Sequence, residues 1–233
     1  MNGQVILITG TSRGIGKQLA GYYLEKGYMV AGCSRNDSPI VHENYLHLTF
    51  DLNDEAAATG LVRKILNHFG RFDILINNAG IASMNHLMLT PTETVSKVIH
   101  TNFIVPFILI REAAKVMSRN KNGRIINFTT VAAAMNLEGE AAYAASKAAL
   151  ESLTRIAGYE LGPLGITVNA IGPSPIDTAL IRTVEAEKIE KIINTQAIKR
   201  KTFIEDITNV IDFFISPSSS FITGQIIYLG GIS

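Results

Sequence analysis

The sequence predicts an α/β fold, a mostly parallel sheet with helices on both faces, and three observations carry that expectation. Short apolar, β-branched runs alternate with segments of helical period along the whole chain. The first such run, VILITG, leads straight into a glycine-rich turn and then a helical segment. The connections are short, which leaves the crossovers of a parallel sheet to the helices themselves.

Val5–Thr9 reads as a buried strand ending at Gly10, and a helix is expected from Gly14 to Lys26, stopped by Gly27. Tyr28–Cys33 is the second strand and Tyr45–Phe50 the third, ending at Asp51. Asn53 or Asp54 caps a helix reaching His68, with Gly70 as its stop. Phe72–Ile76 is the fourth strand. One long helical stretch follows, about Thr92 to Arg119, bent by Pro106, which removes a backbone donor. Gly123–Phe128 is the fifth strand, Ala141–Leu161 an alanine-rich helix closed by Gly162-Pro163, and Ile166–Ile171 the sixth strand. Polar helix is expected between Thr178 and Ile198, a further helix over Ile204–Ile215, and a late strand over Gln225–Leu229.

A chain of 233 residues with 47% hydrophobic content suits one domain, 1–233. Charged residues are 18% and the formal net charge is +1, so no field of one sign points to nucleic acid or an anionic membrane. Cys33 is the only cysteine, which excludes an intrachain disulfide and suits a small buried residue. The five histidines show no metal-ligand spacing, so no metal site is expected. The N-terminus has no secretory pattern, and FIVPFILI is too short to span a bilayer, so a cytoplasmic setting is expected. Arg182–Lys201 is the most charged region. It reads either as a solvated helix face or, within a segment of about 176–202 leaving the sixth strand, as a cover over a pocket.

Two features carry chemistry. TGTSRGIG places Gly10, Gly14 and Gly16 between strand and helix, where glycines let the backbone approach a pyrophosphate and the helix N-terminus offers donors. Strand two then ends in Ser34 and Arg35 with no acid at its tip. Arg35, with Arg13 in the turn, suits a ribose 2′-phosphate, so NADPH/NADP+ is expected over NADH/NAD+. Asp37 competes, since a small register shift would bring it to the ribose. Asp51 serves either the adenine amino group or a helix cap. The second feature is Tyr143 and Lys147, one helical turn apart in AAYAASKAAL, where an ammonium beside a phenol is expected to lower the phenol pKa from about 10.

TGTSRGIG at 9–16, DL at 51–52, NNAG at 77–80, Asn102, YAASK at 143–147 and NAIGPSPIDT at 169–178 together resemble the short-chain dehydrogenase/reductase family and, more loosely, its 3-oxoacyl-carrier-protein reductases. The matches run nearly end to end, and the resemblance implies a single Rossmann-type domain. It further implies a catalytic set of Asn102, Thr130, Tyr143 and Lys147. Tyr143 would donate a proton to a carbonyl oxygen, Lys147 would bind the nicotinamide ribose, and the Asn102 backbone would hold a relay water. The implied cofactor contacts are Gly10, Ser12, Arg13, Gly14, Ile15, Gly16, Ser34, Arg35, Asp51, Leu52, Asn78, Ala79, Gly80, Tyr143, Lys147, Pro173, Ile176 and Thr178.

The chain departs from the family pattern twice. Thr130 stands where the family usually has serine; it keeps the hydroxyl and adds a methyl that crowds the pocket. Ser174, followed by Pro175, stands where the family usually has glycine, which stiffens the loop. Ala132, Ala133, Met135, Leu137 and Ile181 are expected near an apolar or mixed substrate pocket. The expected partner is a small-molecule or acyl-carrier-linked carbonyl, reversibly reduced. A non-catalytic cofactor sensor and an NAD-dependent alcohol dehydrogenase are the alternatives. The helices at 92–119 and 141–161 imply a homodimer or homotetramer through the family's usual four-helix contact.

Overall fold

A computed structural model describes residues 3–135, 137–177 and 186–232. The expected strands are present: β1 (Val5–Thr9), β2 (Met29–Ser34), β3 (Tyr45–Thr49), β4 (Ile74–Asn77), β5 (Gly123–Phe128), β6 (Ile166–Gly172) and β7 (Ile226–Tyr228). They form one sheet in the order β3-β2-β1-β4-β5-β6-β7, with every neighbouring pair parallel. The helices are α1 (Gly14–Glu25), α2 (Glu55–Phe69), α3 (Thr92–Ile99), α4 (Val105–Met117), α5 (Ala132–Met135), α6 (Ala141–Leu161), α7 (Ala186–Thr195) and α8 (Ile204–Ile215). The chain winds outward from β1 to β3, then crosses back to β4. That reversal between β1 and β4 is where an open α/β sheet leaves a crevice beyond the strand ends.

Alternate residues of β1 serve opposite faces, as the period of a strand requires. Val5 and Leu7 join a cluster with Leu61 and Ile65 of α2 and Leu109 and Ala113 of α4. Ile6 and Ile8 join the other cluster, with Leu19 and Tyr23 of α1 and Ile207 and Ile211 of α8. All four β1 side chains are fully buried, each contributing about 1.5–3 kcal/mol of apolar transfer. Asp54 is the cap of α2, accepting from the Ala56 and Ala57 N–H groups, and Gly70 ends that helix in the left-handed conformation.

The long helical stretch expected over 92–119 is present, and a π turn, His100–Ile104, joins its α3 and α4 parts. The Val105 N–H reaches back to the His100 carbonyl. Pro106 has no N–H to return to the carbonyl four residues earlier, which belongs to Asn102. The chain resolves this by widening one turn and restarting, with Pro106 in the first turn of α4. By length and composition Thr92–Asn120 is apolar enough to cross a membrane. Its apolar residues Leu109, Ala113 and Met117 are fully buried against the sheet, as in a core helix.

Candidate functional site

Two cavities lie beyond the strand ends at the β1/β4 reversal, of about 250 and 320 Å³, and Ile15, Asn78, Gly80 and Ile81 line both. The first is built by the glycine turn, the tip of β2 and the loop after β4. Gly10 and Gly14 have φ of +80° and +61°, conformations that a side chain resists. Gly16 lies so close to the Gly10 carbonyl and the Asn78 amide that a Cβ there would strike both. The loop after β4 is fixed to β1: Thr9 Oγ1 accepts from the Asn78 and Ala79 N–H groups at 3.0 and 2.9 Å, and Asn78 Nδ2 donates to the Thr9 carbonyl at 2.8 Å.

Gly10, Ser12, Arg13, Gly14, Ile15, Ser34, Arg35, Asp51, Leu52, Asn78, Ala79 and Gly80 all line this cavity, as the sequence suggested; Gly16 is buried behind it. Ser34 Oγ donates to the Asn36 carbonyl at 2.7 Å, which pins the turn that presents Arg35. Arg13 and Arg35 are both exposed at the rim. Asp37, the competitor for the ribose, is outside the lining and accepts from Thr49 Oγ1 at 2.8 Å. Asp51 lines the cavity and is not a helix cap; its Oδ1 accepts from the Asn53 side chain at 2.8 Å. A glycine cradle closed by two arginines, with the nearest competing acid turned away, fits a dinucleotide bearing a 2′-phosphate.

Thr130, Tyr143, Lys147, Pro173, Ser174 and Ile176 line the second cavity. Tyr143 and Lys147 leave one face of α6, as their spacing predicted. Lys147 is buried, and its Nζ donates to the Phe128 carbonyl at 2.6 Å. A Cβ on Gly80 would sit 3.5 Å from that Nζ, so the loop after β4 passes directly over the lysine. Asn102 is fully buried, and its side chain is a clamp. Its Oδ1 accepts from the Ile81 N–H at 2.9 Å, and its Nδ2 donates to the Ile81 carbonyl and to Ser146 Oγ at 2.9 and 3.0 Å. The π turn, the loop after β4 and α6 are thereby joined beside the lysine.

The expected lowering of the Tyr143 pKa is not what the structure shows. Burial pushes the phenol up to about 12, with Glu140 adding to the rise and the Thr130 hydroxyl opposing it. Burial also pulls Lys147 down to about 8, against the pull of Glu151. The helical spacing placed the pair on one face, but removal of water dominates both shifts. The phenol is thus held protonated at neutral pH.

Ser174 replaces the family's usual glycine without strain. It is buried, and its Oγ donates to the Leu229 carbonyl at 3.0 Å, tying this loop to the end of β7. Ala132 and Leu137 line the second cavity, whereas Ala133 borders a separate hollow and Met135 lines neither; both sit on the short helix α5, which turns them away. Thr178 and Ile181 lie outside the described residues. Ile189 and Ile192 of α7 also line the cavity.

Sequence reasoning missed a buried acid. Glu151, one turn beyond Lys147, accepts from Thr129 Oγ1 and Tyr228 Oη, both at 2.6 Å. The i, i+4 spacing from the lysine was the available signal. Glu140, three residues before Tyr143 and on the wall of the same cavity, was also passed over.

A family model described as Enoyl-(Acyl carrier protein) reductase matches residues 10–232. The 3-oxoacyl-[acyl-carrier-protein] reductase FabG of Staphylococcus aureus (strain Mu50 / ATCC 700699) is 33% identical over 235 residues, covering 97% of this chain and 96% of the relative. The chain belongs to the short-chain dehydrogenase/reductase family. It is an NAD(P)(H)-dependent oxidoreductase acting on a small carbonyl substrate. The Escherichia coli (strain K12) FabG is 32% identical over 235 residues, with 98% and 96% of the two chains covered. Among solved structures, ligand-free Thermoplasma acidophilum aldohexose dehydrogenase superposes with a TM-score of 0.90 at 27% identity, covering 99% of this chain and 94% of that one. A 4-hydroxyisoleucine dehydrogenase complexed with NADH superposes with a TM-score of 0.86 at 32% identity, covering 99% and 98%.

Proposed function

We propose that this enzyme reduces a ketone to a secondary alcohol with NADPH, reversibly, the substrate being a 3-oxoacyl thioester or another small carbonyl. One observation carries the reading: the Thr130 and Tyr143 hydroxyls share a cavity wall with Lys147, and that cavity meets the glycine cradle at Gly80 and Ile81. The bound dinucleotide supplies the hydride. Thr130 orients the carbonyl oxygen, and Tyr143, protonated at neutral pH, gives its proton to that oxygen as negative charge develops there. Lys147 binds the nicotinamide ribose and returns a proton to the phenol, while Asn102 positions the lysine through its clamp on Ile81 and Ser146. Arg13 and Arg35 select the 2′-phosphate, and Asp51 and Leu52 border the adenosine. Pro173 and Ile176 flank the nicotinamide.

The names of the relatives support a carbonyl substrate, and the largely apolar lining of Ile81, Met84, Val131 and Leu137 suits an acyl or alkyl chain. Helix α7 covers the substrate, with Ile189 and Ile192 as its inner face. Exposed Phe107 on α4 and Ile156 and Tyr159 on α6 suit a homodimer or homotetramer assembled through those helices. A cytoplasmic setting fits a chain with a single buried cysteine.

Oxidation of NADPH against a ketone panel tests the reading. Wild-type turnover is expected to fall by about 10²–10⁴-fold in Tyr143→Phe, with NADPH affinity kept within a few-fold. Arg35→Asp is expected to weaken NADPH by about ten- to a hundredfold and to spare NADH. NADPH binding with no turnover on any ketone would indicate the cofactor sensor, and tighter binding of NADH by the wild type would indicate the NAD-dependent alcohol dehydrogenase.

A further inference from the structure

Glu140 is an acid without an evident duty. It occupies the N-cap position of α6, yet its side chain caps nothing. One carboxylate oxygen, Oε2, is closed off from solvent and accepts no hydrogen bond. Burial holds its pKa above the ordinary carboxylate value, against the pull of Lys188 on α7. A buried carboxylate oxygen left unpaired is costly, and it is retained where something else supplies the donor. The residue lines the cavity that holds Thr130, Tyr143 and Lys147, with apolar Val131, Leu137 and Ile189 around it. The carboxylate is near enough to the Tyr143 phenol, on the same cavity wall, to help hold it protonated.

The geometry points to Glu140 as the specificity-determining residue of the substrate cavity, accepting a hydrogen bond from a hydroxyl on the first or second carbon beyond the substrate's carbonyl. The substrate class is then a hydroxyketone, and the product a diol. A hydroxyl suits the position better than an ammonium, because Lys147 and Lys188 already place positive charge at this end of the cavity and a third cation would be repelled. The inference rests on reading this cavity as the carbonyl site, and it sets hydroxyketones above plain 3-oxoacyl thioesters.

Hydroxyacetone and acetone differ by the one hydroxyl, and their reduction products, propylene glycol and isopropanol, differ in the same way. Wild type, Glu140→Gln and Glu140→Leu are compared by kcat/KM for the two ketones with NADPH. Ligand-observed NMR then measures binding of the two alcohols to the NADP+-loaded protein. The wild type is expected to favour hydroxyacetone by about tenfold or more. Glu140→Leu is expected to bring the ratio to about one, and Glu140→Gln, which keeps an acceptor oxygen, to lie between. Propylene glycol is expected to outbind isopropanol in the wild type and to lose that advantage in Glu140→Leu. A ratio unchanged by Glu140→Leu, an equal loss for both ketones, a preference for aminoacetone, or glycol binding indifferent to Glu140 would each overturn the inference. Glu140-dependent glycol binding without turnover of any ketone would instead remove the reductase reading and leave the hydroxyl-binding role standing.

Discussion

Thr130 is the residue on which the proposed chemistry turns, because it stands where the family usually has serine and shares its cavity wall with Tyr143. Its Oγ1 also accepts from the Ala132 N–H at 3.3 Å, so the hydroxyl is held by the start of α5. Threonine keeps that oxygen and adds a methyl that removes rotamers and volume. Thr130→Ser is therefore expected to match or exceed wild-type kcat and to widen the range of ketones accepted. Thr130→Ala is expected to lose about 10²-fold in kcat with little change in NADPH affinity. Steady-state kinetics on one ketone separates the two, and full activity in Thr130→Ala would remove the residue from the mechanism. Tyr143 and Lys147 were legible in the sequence because a helix of known period places them on one face. The protonation of that pair was not legible, since it depends on how much water the completed fold removes. Glu140 and Glu151 escaped notice for a related reason: an acid in a helical stretch reads as a solvated charge until β7 and the loop after β5 are packed beside it.

At the scale of elements, the strands and most helices were readable from period and punctuation, with ends displaced by one or two residues. The π turn was not, although Pro106 marked the disturbance. A proline shows that a hydrogen bond is lost, but only the packing of α3 and α4 decides whether the helix bends, breaks or widens. The β1–α1 unit was read correctly down to its glycines, and they differ in function. Gly16 meets the Gly10 carbonyl and the Asn78 side chain, whereas Gly21, on the same helix, has nothing within 4 Å of a built Cβ. Gly16→Ala is expected to destabilise the protein by roughly 1–3 kcal/mol and to weaken NADPH binding at least tenfold, because the turn must open to admit the methyl. Gly21→Ala is expected to stabilise it by about 0.5–1 kcal/mol, as alanine does in a helix interior, with unchanged NADPH binding. Chemical denaturation and NADPH fluorescence measure both. Equal behaviour of the two variants would show that the close approach at Gly16 carries no weight.

The whole molecule sets a buried cation against its own stability. Two apolar clusters clasp the sheet from either face, and α6 brings Lys147 through to the sheet edge, where its ammonium is buried and bonded to the Phe128 carbonyl. Its pKa in the folded protein, about 8, lies below the 10.5 of an ordinary lysine. Below pH 8 the folded state must hold the charge and bears its full desolvation cost. Between pH 8 and 10.5 the folded protein has released this proton and the unfolded chain still binds it, so stability rises with pH, by at most about 1.4 kcal/mol per pH unit. Tyr143 acts in the opposite direction, but only above its ordinary value of 10, where the unfolded chain ionises and the folded protein does not. The interval from pH 8 to 10 therefore isolates the lysine from the Tyr143 phenol. Lys147→Met keeps an unbranched side chain one atom shorter and removes the charge. It is expected to be more stable than the wild type at neutral pH without cofactor, and to lose that advantage steadily between pH 8 and 10. Urea denaturation of both proteins across this interval measures the difference, and a gap that stays constant would show that Lys147 does not titrate there.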